Sequence, residues 1–181
     1  MPFKSTPIKY GAVAVSIHWM SAIAIFALLG SGFRATSLTE STDKAATLAV
    51  HVGLGCLVLI LTLTRLAWWF WADVKPLPPK GDPEWQAKGA KAIHFLFYVV
   101  ILGMVSSGIG MIVLSGAASI LFGSSSQALP DFWDFLPRVP HGLGARLMLA
   151  LLVLHMGAAL YHHSVKNDGL IARMWYGRDG A

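Results

Sequence analysis

The sequence predicts an all-α fold: a single integral-membrane domain over residues 1–181, built as a four-helix bundle. Three observations carry this. Of the 181 residues, 55% are apolar and only 13% charged, about half the charged share of a water-soluble domain. Mean hydropathy is +0.61. The apolar residues gather in four runs of roughly twenty or more, the length that crosses a hydrocarbon core of about 30 Å. In lipid each run can satisfy its backbone only as a helix.

The expected spans are about 11–33, 45–71, 89–114 and 141–164. The first follows Lys4 and Lys9 like a secretory leader, but its apolar stretch is longer than a leader core, it contains His18, and no clear small-x-small cleavage site follows. It is therefore read as retained. Trp68, Trp69 and Trp71 close the second span as an interfacial aromatic belt. Pro76, Pro78, Pro79 and Pro83 stiffen the connection to the third. Phe132, Trp133 and Phe135, with three prolines between 129 and 140, suggest a short cap before the fourth.

Basic residues near the span ends set the expected direction. Lys4, Lys9, Arg65, Lys75, Lys80, Lys88, Lys91, Lys166, Arg173 and Arg178 fall on one side, against Arg34, Lys44 and Arg138 on the other. The richer side is assigned to the cytoplasm of a bacterial inner (plasma) membrane, with both termini there. Loops 34–44 and 115–140 then face outward. The net charge of +5 follows from this topology and the anionic inner leaflet, with no need for nucleic acid. The single cysteine, Cys56, lies within an apolar run, which excludes a disulfide framework or cysteine-rich metal site.

Seven histidines are the chemical signal, because ionisable groups within a membrane are costly and face the bundle interior with a partner. His18 lies roughly 9 Å into the first span from the cytoplasmic end at 1.5 Å per residue, and His51 a similar distance into the second from the outer end. His141 opens the fourth span, and His155 follows after about four helical turns on nearly the same face, some 21 Å along the axis. In the outer half only His51 and His141 are available. In the inner half His18 and His155 match in depth, whereas His94, His162 and His163 sit nearer the boundary. The expected pairs are His51 with His141 and His18 with His155.

Zinc needs three or four protein ligands, and each pair offers two imidazoles. A haem iron already has four porphyrin nitrogens and takes two axial imidazoles. Two haems b are thus the expected occupants, and the missing C-x-x-C-H pattern excludes covalent c-type attachment. Gly53 and Gly55 follow His51, and Gly142 and Gly144 follow His141. Glycines there would let a flat macrocycle approach the backbone, although small residues also serve plain helix packing. Gly103, Ser106, Ser107, Gly108 and Gly110 could form a smooth wall on the third span. Arg65, fourteen positions beyond His51, is a candidate for the inner propionates, with end-of-helix snorkelling as its alternative. Arg146, about one turn past His141, is a candidate for a propionate or quinone.

These residues resemble the bacterial cytochrome b-561 family, dihaem four-helix membrane proteins related to the cytochrome b subunits of nickel-iron hydrogenases. The resemblance covers nearly the whole chain: Ser16-Ile17-His18-Trp19, His51-Val52 with Arg65, His94, His141 through Leu154-His155, and Ala158-Ala159-Leu160-Tyr161-His162-His163. Asp168-Gly169-Leu170-Ile171-Ala172-Arg173-Met174 continues it. The family's ligand assignments fall on His18, His51, His141 and His155. The resemblance implies electron transfer between the quinone pool, with ubiquinone as the electron partner, and a one-electron partner outside. One member type is a superoxide oxidase that passes electrons to ubiquinone. The outer loops set Arg34, Lys44 and Arg138 against Glu40, Asp43, Asp131 and Asp134, so their overall charge does not make a funnel for an anion. Competing readings are a membrane-anchor subunit relaying electrons from a dehydrogenase or hydrogenase complex, and a haem-free transporter. The latter predicts no visible absorbance and lacks the discontinuous helices such folds use. A homo-oligomer would favour a standalone electron carrier, and a larger redox complex the membrane anchor.

Overall fold

The computed structural model describes residues 1–78, 83–123, 125 and 127–176; Lys80 and Arg178, used above for orientation, and Pro79 lie outside them. Four long helices carry the apolar runs: α1 (Ala12–Ser37), α2 (Ser41–Ala67), α3 (Glu84–Ser115) and α5 (Arg138–Tyr161). A short α4 (Ala118–Phe122) lies between the last two. Among the described residues there is no strand.

The helices outrun the apolar runs because polar turns extend them. α2 begins with Ser-Thr-Asp-Lys and carries Asp43 in its first turn and Arg65 in its last, each complementing the helix dipole. α3 starts at Glu84, just after Pro83, and an exposed Glu84–Lys88 pair at 2.9 Å bridges its first turn. It ends where Gly116 takes the left-handed conformation, φ 65°, the usual way a helix stops. α2 and α5 each finish in a π-helical turn, Trp68–Ala72 and His162–Lys166. Before α5, Asp131 caps a 3-10 turn by accepting from the Trp133 amide at 2.9 Å, and the Arg138 guanidinium stacks 4.4 Å over the Trp133 ring.

All four long helices are long and apolar enough to cross a membrane. Only 33% of the apolar window of α1 is buried within the protein, and 11% of that of α3. Ile23, Ile60, Val113, Val153 and many similar side chains point outward. Water would oppose such an apolar exterior, whereas hydrocarbon accepts it.

The chain forms two compact units, and each long helix contributes to both. The first comprises Met1–Ser21, Leu61–Tyr98 and Leu149–Ala181. Ala14, Val15, Ile17, Leu61, Leu151 and Leu152 are its buried apolar residues. Its N-terminal segment folds back on itself: the Ala12 amide reaches the Pro2 carbonyl at 2.9 Å and the Gly11 amide reaches Ser5 Oγ at 3.0 Å. These bonds satisfy donors that a helix start leaves open. Any Cβ at Gly11 would collide with the backbone of Phe3 and Lys4, so only glycine fits there. The second unit comprises Ala22–Ile60 and Val99–Met148, with Ala24, Ile25, Ala35, Val58, Val100, Ile101, Ala117 and Met148 buried.

Candidate haem sites

In the second unit, α2 and α5 bring the rings of His51 and His141 to a centroid separation of 6.1 Å, with planes 65° apart. Hydrogen bonding fixes which nitrogen of each ring is free. Ser31 Oγ donates its only proton to the Leu28 carbonyl at 3.1 Å. With its proton on that carbonyl it accepts from His51 Nδ1–H, 3.0 Å away. The carbonyl of Met104 likewise can only accept, and it lies 3.1 Å from His141 Nδ1. Ser107 Oγ is 3.0 Å from the same nitrogen, while its own proton serves the carbonyls of Gly103 or Met104 at 2.8 and 3.0 Å. Both rings thus carry the proton on Nδ1 and present a bare Nε2, the arrangement that a metal-ligating histidine adopts.

Glycines make room for these rings. A Cβ at Gly32 would stand 3.2 Å from His51 Cε1, and one at Gly108 3.4 Å from His141 Cε1. The glycines singled out from the sequence divide. At Gly53 and Gly55 an added Cβ would meet nothing within 4 Å, leaving the backbone open to a flat ligand. Gly142 and Gly144 are used by packing instead, since a Cβ there would press on Arg138 Nη1 at 3.0 Å or on Met104 Sδ at 2.5 Å.

In the first unit, α1 and α5 bring His18 and His155 to a centroid separation of 6.3 Å. His155 is also ringed by His94 on α3 at 5.5 Å and by Phe97 at 5.5 Å. Trp19 lies 5.6 Å from His18. The side-chain nitrogens of His18 and His155 have no hydrogen-bond partner among the described residues. Arg65 is close enough to act electrostatically on His18, His94 and His155, and its buried Nε has no partner. An unpaired buried guanidinium nitrogen is costly, and an anionic group such as a propionate would satisfy it. Arg146, by contrast, is an exposed residue of α5, with no ion pair or hydrogen bond among the described residues.

The tail closes the first unit. Trp19 Nε1 donates to the Met174 carbonyl at 2.8 Å and stacks edge-on with Trp175 at 5.4 Å. The Tyr10 amide reaches the Arg173 carbonyl at 3.3 Å, and Arg173 Nη1 the Leu77 carbonyl at 2.9 Å. Asp73 accepts from the Ser5 amide and hydroxyl, from the Val74 amide, and from Trp68 Nε1 at 3.0 Å. Trp68 is thereby tied to Asp73. Partial burial would raise the Asp73 pKa, but these donors outweigh it and hold the carboxyl below its ordinary 3.8. His162 Nδ1 bonds the carboxylate of Asp168. That bond and the Leu170 amide outweigh the effect of burial and lower the Asp168 pKa.

Among the described residues no three His, Cys, Asp or Glu side chains gather to hold a metal ion. A porphyrin would supply the missing donors. An iron held between two imidazoles at about 2 Å from each nitrogen, with roughly 1 Å more to each ring centre, would set the rings about 6 Å apart. Both pairs meet that spacing.

The model of the prokaryotic cytochrome b561 family matches residues 9–177. The chain is 26% identical to the probable superoxide oxidase CybB of Yersinia pestis, over 92% of this chain and 95% of that protein. It is 27% identical to cytochrome b561 homolog 2 of Escherichia coli K12, over 96% and 95%. To cytochrome b562 of Cereibacter sphaeroides it is 28% identical, over 91% and 94%. Sequence reasoning missed Ser31 and Gly32, and it placed Ser107 only in a wall; a serine-glycine step inside an apolar span was the available signal.

Proposed function

The chain belongs to the prokaryotic cytochrome b561 family and is with it a bacterial membrane b-type cytochrome of electron transfer, and from that premise we propose that it carries two haems b. His51 and His141 ligate one, and His18 and His155 the other. The observation that carries this reading is that both imidazole pairs have a ring spacing that a haem iron between them would fit. Bound haem supplies a one-electron ferric–ferrous couple with both axial positions filled, which favours electron transfer over oxygen binding.

The residues of the chain do the rest. Ser31, Ser107 and the Met104 carbonyl hold the tautomer and orientation of their rings. Arg65 answers a propionate at the His18/His155 site. Arg146, a cation on an apolar helix, serves a propionate or the quinone head group. Both termini lie in the cytoplasm. Electrons pass between a periplasmic one-electron partner and ubiquinone, and superoxide is the candidate partner because one relative is named a probable superoxide oxidase.

Reduced-minus-oxidised spectra with haem quantitation test the reading on wild type and on His18→Ala, His51→Ala, His141→Ala and His155→Ala. Two haems b are expected, with the two variants of each pair removing the same one. A colourless protein, properly inserted and well supplied with haem during expression, would end it.

A further inference from the structure

The two histidine pairs differ in what holds their rings. Each ring of the His51/His141 pair donates Nδ1–H to a serine or carbonyl oxygen. Neither ring of the His18/His155 pair has such an acceptor among the described residues; their neighbours are the Trp19, His94 and Phe97 rings and the Arg65 guanidinium. An imidazole that donates its second N–H becomes a more basic ligand, and a more basic axial ligand stabilises the ferric over the ferrous state. Hydrogen bonding around the ligand set is one of the levers a protein has on haem potential. A fixed guanidinium acts in the opposite sense, because it favours the state with one more electron.

Resting on the dihaem reading above, we propose that the His51/His141 site is held at the lower potential and the His18/His155 site at the higher, through Ser31, Ser107 and the Met104 carbonyl at the first and Arg65 at the second. Haem bound at each site would supply a one-electron couple, so transfer from the first to the second would balance with no proton or further reactant. The direction of transfer is thereby built into the positioning residues of the two sites. An electron delivered at the His51/His141 end comes to rest at the His18/His155 end.

An equilibrium redox titration of the purified holoprotein, followed by visible absorbance and by electron paramagnetic resonance, reads this without any turnover. His51→Ala and His18→Ala, each retaining one haem, assign the two potentials. The wild type should favour the electron on the His18/His155 haem at least about tenfold, which is 59 mV for a one-electron couple. Ser31→Ala with Ser107→Ala should raise only the potential of the His51/His141 haem and narrow that gap, and Ser31→Thr with Ser107→Thr, which keep the hydroxyls, should restore it. Arg65→Gln should lower only the potential of the other haem. Equal potentials or the reverse order in the wild type would overturn the proposal, as would a gap that ignores the serines. The wild-type order decides even where a variant loses haem. Absence of two haems would instead sink the dihaem reading itself.

Discussion

The indole N–H of Trp19 and the main-chain carbonyl of Met174 lie 2.8 Å apart, so the residue beside His18 is tied to a segment 155 positions away in the chain. The tail thereby braces the helix turn that carries His18.

Trp19→Phe keeps a large ring and deletes this one bond. A loss of about 1 kcal/mol is expected, confined to the first unit. Hydrogen exchange at residues 171–176 should quicken, and the haem proposed at His18/His155 should be lost first on warming while the one proposed at His51/His141 persists. Parallel loss of both haems would contradict the bracing role.

Acid should release the same region. The Asp73 carboxyl is held below its ordinary 3.8 and Asp168 is lowered as well. A depressed carboxyl contributes stability in full above its unfolded pKa and loses it as pH falls through the folded value. Limited proteolysis of the N-terminal segment and tail should therefore be flat from pH 7 to about 5 and rise below pH 4. Asp73→Asn should make cleavage faster at pH 7 and weaken its pH dependence.

Gly32→Ala and Gly53→Ala separate ring packing from open backbone. The first puts a methyl 3.2 Å from His51 Cε1, and the second meets no protein atom within 4 Å. Overpacking of this kind costs about 1–3 kcal/mol. Gly32→Ala should shift the signal of the haem proposed at His51/His141 and reduce its occupancy, measured by haem per protein. Gly53→Ala should leave apoprotein stability unchanged.

His94 is the sharpest test of the ligand set proposed in the first unit, because its ring is nearer His155 than that of His18. His94→Ala should retain both haems at full stoichiometry, with only a shift in the spectrum of one. Loss of a haem would make His94 the partner of His155.

The four spans were legible because an apolar run of membrane length admits little besides a helix. Their ends were less so, since Ser41–Lys44 and Glu84–Lys88 continue the helical backbone beyond the apolar stretch on hydrogen bonds and charge pairs that hydropathy does not register. That His51 would lie near His141 and His18 near His155 could be anticipated from depth, because depth is linear in residue number along a helix, but not that His94 comes nearer His155 than His18 does. Ring orientation could not. That the Ser107 hydroxyl turns toward His141, that Gly144 accommodates Met104, and that Trp68 reaches Asp73 depends on how helices rotate against one another, which spacing within one helix leaves free.

His141 and His155 both belong to α5, and this has a consequence for how such a chain can change over time. Removing or adding one residue between them would swing one ring by about 100° relative to the other. The intervening stretch is held to its length, so the two histidine positions must be inherited together.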